Sequence, residues 1–182
     1  MLYWIGVIAG IFVGICLCIA IGFLFSGCTD VTSLDVPEPI LLDVPLVYTQ
    51  EGTLFPGGWC LECSVVMVGA YYKHVSPTYT QVAETREQLK SKNIAIYFHN
   101  FWGLSARYHT WGIPQINTWL QTEGPLIAYI DGWEDILHMV VIVGIDEQNL
   151  YYLCPQFGHQ AVSHERWNEL HRVGEYGVWI IK

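Results

Sequence analysis

The chain opens on a long apolar stretch. Residues 2–25 contain no charged side chain, and a helix needs about 20 apolar residues to cross the hydrocarbon core of a bilayer. Tyr3 and Trp4 stand where interfacial aromatic side chains are common. A cleaved secretory signal would have basic residues before a shorter apolar segment. The pattern therefore predicts one transmembrane helix that is retained in the mature protein.

A lipoprotein-type signal anchor is the alternative for residues 1–28. Phe25-Ser26-Gly27-Cys28 resembles a lipobox, with Phe where Leu is usual. On this interpretation Cys28 carries the lipid.

Small residues recur every fourth position within the apolar stretch, namely Gly6, Gly10, Gly14, Cys18 and Gly22. Residues at this spacing form one slowly winding stripe on a helix, and small side chains there let a second helix approach closely. The stripe, a glycine zipper, predicts a transmembrane helix partner, either a second copy or another protein.

Residues 29–45 read as an extended acidic linker. They contain three prolines and several carboxylates, and no Lys or Arg occurs before Lys73. Positively charged flanks stay cytoplasmic, so their absence favours a soluble domain on the extracytoplasmic side, periplasmic or extracellular.

The remaining pattern, residues 46–182, predicts helices followed by strands. Leu61–Tyr72 is apolar on every side and reads as a buried helix, Thr78 and Gln81 match a capping box before a polar helix, and Pro114 opens a short helix. The later runs predict four strands and one helix: Leu126–Ile130, His138–Ile145, Leu150–Cys154 and Val178–Ile181, with a helix over Ser163–His171. This order indicates an α+β domain. The aromatic residues between 97 and 111 could line a substrate cleft, but we expect them to pack in the core or to meet a partner or membrane surface.

The composition of the chain argues against nucleic-acid binding. The net charge is −9 with eight Lys and Arg, so the chain lacks the basic surface that a nucleic-acid-binding protein needs. Nothing in the sequence implies a cofactor or a metal. Six histidines show no ligand spacing and are expected to be surface or incidental polar residues: His74, His99, His109, His159, His164 and His171.

Gln50, Cys60 and His138 could form the site of a thiol enzyme. Cys60 follows Gly57-Gly58-Trp59 and begins the buried helix, whose N-terminus favours a thiolate. His138 opens a strand and could serve as the base. Gln50 lies in a loop and could stabilise an oxyanion.

These residues resemble the papain-like family of bacteriocin-processing (double-glycine) peptidases. The family reads Val-Pro, then Gln, then Cys-Gly-Pro-Ala-Ser-x-x-Met. Residues 44–50, 59–68, 138–144 and 150–158 follow its motifs in order. The resemblance implies a papain-like fold, Cys60 as nucleophile, His138 as base, Gln50 as oxyanion donor and a peptide or protein substrate. No ATP-binding motif accompanies the domain in this sequence.

Two positions depart from the family. Cys154 stands where the family has the Asp that orients the histidine, and a thiol is a poor, uncharged acceptor. Gln156, Asp131 and Asp135 are candidates to replace that Asp. Leu61-Glu62 replaces Gly-Pro, and the charge of Glu62 opposes formation of a thiolate at Cys60. A catalytically weak or inactive relative, serving as a peptide-binding or structural subunit of a membrane complex, is therefore the alternative to an active peptidase.

Cys60 and Cys63 also have the CxxC spacing of redox and zinc sites. A redox motif would follow a strand, and zinc would need two further ligands, for which Cys154 and His138 are the candidates. A disulfide from Cys154 to Cys60 or Cys63 is a further alternative outside the cell. We expect Cys63 to be a core residue.

Overall fold

The computed structural model describes residues 40–49, 59–89, 93–131, 137–172 and 176–182. The expected transmembrane helix, its glycine stripe, Cys28, the linker before residue 40 and Gln50 lie outside these residues. No helix within them is both long and apolar enough to span a bilayer.

Helices and one sheet make up the described part of the chain, in the α+β order that the sequence predicts. The helices are α1 (Cys60–Lys73), α2 (Tyr79–Leu89), α3 (Ile94–Tyr97), α4 (Ile113–Thr122) and α5 (His164–His171), and Phe98–Trp102 forms a π-helical turn after α3. The strands are β1 (Ile40–Leu41), β2 (Ala106–His109), β3 (Leu126–Asp131), β4 (Leu137–Ile145), β5 (Asn149–Cys154), β6 (Gly158–Ser163) and β7 (Val178–Ile181).

Seven strands of the described residues form a single antiparallel sheet. Six follow the order β2-β7-β3-β4-β5-β6, and β1 pairs with the end of β4 through Ile40 opposite Ile145. The end of the expected linker is therefore part of the folded domain. Ile40 and Leu41 belong to the sheet, and Val44 is buried in the core.

The two faces of the sheet are covered by different helices. Because side chains alternate along a strand, Met139 and Val141 of β4 pack with α1 and α3, while Val140 and Ile142 pack with α4 and α5. The site described below lies at the beginning of β4.

Helix α1 is the buried helix that the sequence predicts. Every residue from Cys63 to Ala70 is buried, because β4 lies on one side of the helix and α2 on the other. Gly69 allows the π-helical turn to pack closely on α1, since a Cβ there would overlap the indole ring of Trp102.

The capping box before α2 is confirmed. The Thr78 backbone N–H donates to Gln81 Oε1 at 2.7 Å, and the Gln81 N–H donates to Thr78 Oγ1 at 3.3 Å. Among the aromatic residues between 97 and 111, Tyr97, Phe98 and Trp102 are buried in the core, whereas Phe101 and Tyr108 are exposed.

One expectation about the histidines is wrong. His171 is completely buried rather than at the surface. Its Nδ1 lies 2.6 Å from the carbonyl oxygen of Tyr129, and its ring stacks on Trp167. The last turn of α5 packs on β3, and a single histidine without ligand spacing gives no sequence signal of that contact.

Candidate active site

Cys60 is the first residue of α1. Trp59 is the N-cap residue, and the Cys60 side chain packs against the edge of the core while staying half-buried. Burial raises the pKa of the Cys60 thiol above its ordinary value, and the charge of Glu62 raises it further. Hydrogen bonds from the backbone amides of Met139, Leu61 and Cys60 itself work in the opposite direction. The amides at the start of the helix therefore stabilise a thiolate, but burial dominates.

His138 is the second residue of β4 and pairs with Ile130 of β3. Its Nε2 lies 3.2 Å from Sγ of Cys154. Burial lowers the pKa of the imidazole below its usual value. His138 is therefore neutral at pH 7, and its Nε2 is held by a residue of the neighbouring strand.

Cys154 ends β5 and is only 2% exposed. The backbone amides of Gln156 and Phe157, in the turn that follows, donate hydrogen bonds to its sulfur. These two amides lower the pKa of Cys154, but burial outweighs them and raises it. Cys154 is thus an uncharged hydrogen-bond partner of His138, placed where an orienting acid would stand.

The backbone of Met139 connects the two halves of the site. Its amide contacts the Cys60 thiol, and it directly follows His138. No hydrogen bond among the described residues joins Cys60 to His138. Such bonds are often long in the absence of substrate. The structure brings His138 and Cys154 into contact. It places Cys60 beside the backbone of Met139, the residue that follows His138 on β4.

Asp131 and Gln156, two of the three candidates to replace the orienting acid, form no hydrogen bond with His138. Asp131 pairs instead with Arg172 and accepts a hydrogen bond at 2.8 Å from the Tyr176 hydroxyl. Gln156 contributes its backbone amide to Cys154 rather than its side chain to His138. Asp135, like Gln50, lies outside the described residues.

Tyr129 is a neighbour of the site that sequence reasoning did not identify. It lies directly opposite Met139 in the pairing of β3 with β4. Burial raises the pKa of its hydroxyl, and proximity to Cys60 is a smaller cause in the same direction. The placement depends on strand register, which no local motif in the sequence encodes.

The structure bears on the zinc and disulfide alternatives for the cysteines. Within the described ranges, no cluster of three or more His, Cys, Asp or Glu side chains could hold a metal ion. Cys60, Cys63 and Cys154 are free thiols. Cys63 is completely buried, as expected of a core residue, and burial raises its pKa to about 12.

Comparison with solved structures identifies the fold. A double glycine motif protease from an AMS/PCAT transporter, solved in complex with the leader peptide, matches with a TM-score of 0.56 and 22% identity, over 79% of this chain and 96% of that one. A C39-like peptidase from Bacillus anthracis matches with a TM-score of 0.60 and 14% identity, over 80% of this chain and 98% of that one. The fold is that of the C39 papain-like peptidase domains, as the resemblance in sequence implied.

Sequence comparison assigns the family. Curated protein sequences give no match. The family model described as papain-like cysteine protease AvrRpt2 matches residues 40–172, which include Cys60, His138 and Cys154. Since that match spans most of the chain, the protein belongs to the papain-like cysteine protease family.

Proposed function

We propose that this protein is a membrane-anchored cysteine peptidase that hydrolyses peptide bonds by Cys–His nucleophilic catalysis. The observation that carries the proposal is the position of the Cys60 thiol. It lies at the N-terminus of α1 and accepts a hydrogen bond from the backbone amide of Met139, which directly follows His138. Cys60 would be the nucleophile and His138 the base. The Cys60 amide and, from the resemblance, the Gln50 side chain would hold the oxyanion.

The pKa directions define how the pair would work. Burial raises the pKa of Cys60 and lowers that of His138, so both are neutral near pH 7. The Cys60 sulfur bonds to the substrate carbonyl carbon as the thiol proton passes to His138. His138 then gives that proton to the departing amine. Water cleaves the thioester, which releases the acid and restores the thiol.

The tautomer of His138 decides whether this proton transfer can occur. If Nε2–H donates to Cys154, Nδ1 is free to accept the proton of Cys60. If the Cys154 thiol donates to Nε2 instead, Nδ1 carries a hydrogen and cannot act as base. A carboxylate only accepts, whereas a thiol can do either. Cys154 therefore leaves the tautomer unfixed, and we expect slow turnover.

A second function follows from the same geometry. The high pKa of Cys60 and its lack of a hydrogen bond to His138 fit a domain that binds a peptide without cleaving it. Such a catalytically inactive relative would be a peptide-binding or structural subunit of a membrane protein complex.

Hydrolysis of a fluorogenic Gly-Gly amide by the full-length protein separates the two. The peptidase proposal predicts release of the fluorophore that rises with pH as His138 becomes neutral, falls at alkaline pH as Cys60 ionises, and is lost in Cys60→Ala. Release that survives in Cys60→Ala removes the assignment of the site. If the unmodified protein binds the peptide saturably but releases no fluorophore, the second function is favoured.

The anchoring part of the proposal is supported by residues 2–25, which carry no charge. The helix would insert in membrane lipid and hold the domain on the extracytoplasmic side. Residues that pack against a partner helix would be those of the stripe, and Gly10→Ile with Gly14→Ile should abolish cross-linking within the membrane. Unchanged cross-linking would contradict a packed stripe. Labelling of Cys28 by a fatty-acid analogue would show lipidation in place of a retained helix.

A further inference from the structure

Cys63 is a thiol that the proposed chemistry of Cys60 does not use. It lies three residues after Cys60 on α1 and stands where the family motif has Ala. Its side chain is completely buried and packs with Val66 and Val82. A small apolar residue would satisfy that packing, because a buried Cys behaves there as a small hydrophobic side chain. Packing alone therefore leaves the second sulfur of the CxxC pair unexplained.

The helix brings the two thiols to one face. Residues three apart on an α-helix have Cα atoms about 5 Å apart, which lies within the range of disulfide-bonded cysteines. Their Cβ atoms are about 5–6 Å apart and must approach to about 4 Å for a bond. The helix begins at Cys60, and the Cys63 amide donates to the Trp59 carbonyl at 2.9 Å. The amide of Cys60 donates no bond within the helix, so its backbone can adjust.

Cys154 is the other thiol among the described residues, and it packs in a different layer. Its side chain belongs to the core on the α4 and α5 face of the sheet. The Cys60 side chain packs against the core on the α1 face. The Cys154 sulfur is also 3.2 Å from Nε2 of His138. Cys63, on the same face of the same helix, is therefore the partner that the fold offers to Cys60.

We propose that Cys60 and Cys63 form a reversible disulfide that masks the Cys60 thiol. The oxidant would be a small-molecule disulfide such as oxidised glutathione. The Cys60 sulfur bonds to one glutathione sulfur and releases the other glutathione as a thiol. The Cys63 sulfur then bonds to the Cys60 sulfur and displaces the second glutathione. Two protein thiols are oxidised, one small disulfide is reduced, and the two protons end on the two released glutathione thiols.

Burial sets the order of the two steps. Cys60 is half-buried and can meet a small reagent, whereas Cys63 is completely buried and meets only Cys60. Burial also raises the pKa of Cys63 to about 12, so the second step is slower than the first near pH 7. The approach of the two Cβ atoms strains the first turn of α1, and strained disulfides are easily reduced. The bond is therefore expected to be reversible rather than a permanent cross-link.

The test is a disulfide map of the full-length protein after incubation with oxidised glutathione. Free thiols are blocked with N-ethylmaleimide, and the denatured protein is digested with a Glu-specific protease and read by mass spectrometry. Cleavage after Glu62 separates the two cysteines into peptides 52–62 and 63–84. We expect a transient glutathione adduct on peptide 52–62, then a disulfide that links the two peptides. Dithiothreitol should separate them again.

Two variants distinguish the roles of the thiols. Cys63→Ala introduces the residue of the family motif, and its Cys60 should stop at the glutathione adduct. Cys154→Ala is the matched control, because it removes a thiol from another layer and should leave the linkage of the two peptides unchanged. A bond from Cys60 to Cys154, a stable adduct on Cys60 beside a free Cys63, or a Cys60 that is never oxidised would overturn the proposal. These outcomes are read in the unmodified protein, whether or not Cys63→Ala folds.

The effect of the disulfide on hydrolysis rests on the proposed function, in which Cys60 is the nucleophile. Release from the Gly-Gly amide, measured in the same samples, should fall as the two peptides become linked and recover with dithiothreitol. Release that continues in fully linked protein would remove Cys60 as the nucleophile. If the unmodified protein releases no fluorophore, the peptidase function fails, yet the disulfide map still decides whether Cys60 and Cys63 pair.

Discussion

Replacing Cys154 by Asp should convert a weak partner of His138 into a charged one. Sγ of Cys154 lies 3.2 Å from Nε2 of His138, so a carboxylate oxygen at that position would accept a hydrogen bond from Nε2–H. Because a carboxylate cannot donate, only the tautomer with a free Nδ1 would remain. We therefore predict that Cys154→Asp raises both the pKa of His138 and the rate of hydrolysis.

The size of the effect follows from the distance and the burial. Unit charges about 4 Å apart attract by about 4 kcal/mol at an effective dielectric constant near 20, or about 3 pKa units. Burying a carboxylate at a residue that is 2% exposed removes part of that gain. We expect the pKa of His138 to rise by roughly 1 to 2 units. Since loss of the orienting Asp costs a serine protease about 10⁴ in turnover, a gain of at least about tenfold is reasonable.

The assay is titration of the His138 Cε1–H resonance by NMR, together with hydrolysis of the Gly-Gly amide. Cys154→Asn is the matched control, because it offers an acceptor of the same shape without the charge. Because its amide can accept or donate, it should leave both the tautomer unfixed and the pKa of His138 low. A folded Cys154→Asp protein in which the His138 pKa does not move would refute the assigned contact.

Three further predictions concern stability. Gly69→Ala should lower the free energy of unfolding by about 1 to 3 kcal/mol in urea, because the new Cβ overlaps Trp102, and unchanged stability would contradict the packing described. Thr85→Val should lower the free energy of unfolding by about 1 to 3 kcal/mol, because the buried Tyr97 hydroxyl, 2.7 Å from Thr85 Oγ1, loses this hydrogen-bond partner. An unchanged free energy of unfolding would show that the hydroxyl forms a different hydrogen bond in the variant. Burial lowers the pKa of His171 in the folded state, so its contribution to stability is present above the unfolded pKa near 6.5 and is lost as pH falls below it. His171→Asn should flatten the decline of the urea midpoint between pH 7.5 and pH 5, and an equally steep decline would remove His171 as its cause.

Local sequence signals were enough to locate the elements that carry the site. Helix α1 is apolar all round, β4 is a β-branched run, and the capping box at Thr78 marks the start of α2. The prediction of an α+β papain-like fold depended on these elements and on the order of the motifs. It is confirmed by the family match and by the similar structures.

The remaining elements depend on contacts between distant segments. The prediction missed β2 and β6, whose residues lack a clear alternation of apolar and polar side chains. It also missed β1, because two residues of a proline-containing segment form a strand only by pairing with β4. The burial of His171 and the closeness of Arg86 to Trp59 likewise need tertiary packing. The sequence places Cys154 near His138 only through the family resemblance, and the 3.2 Å separation comes from the pairing of β4 with β5.

The most direct test of Cys60 as a nucleophile acting with His138 is to trap the acyl-enzyme. The full-length protein would be mixed briefly with a Gly-Gly p-nitrophenyl ester, quenched in acid and digested, and the acylated residue read by mass spectrometry. We predict one acyl group on Cys60, none on Cys63 or Cys154, and acylation that is much slower in His138→Ala. Acylation elsewhere, or acylation of Cys60 at the same rate without His138, would contradict a Cys60–His138 active site.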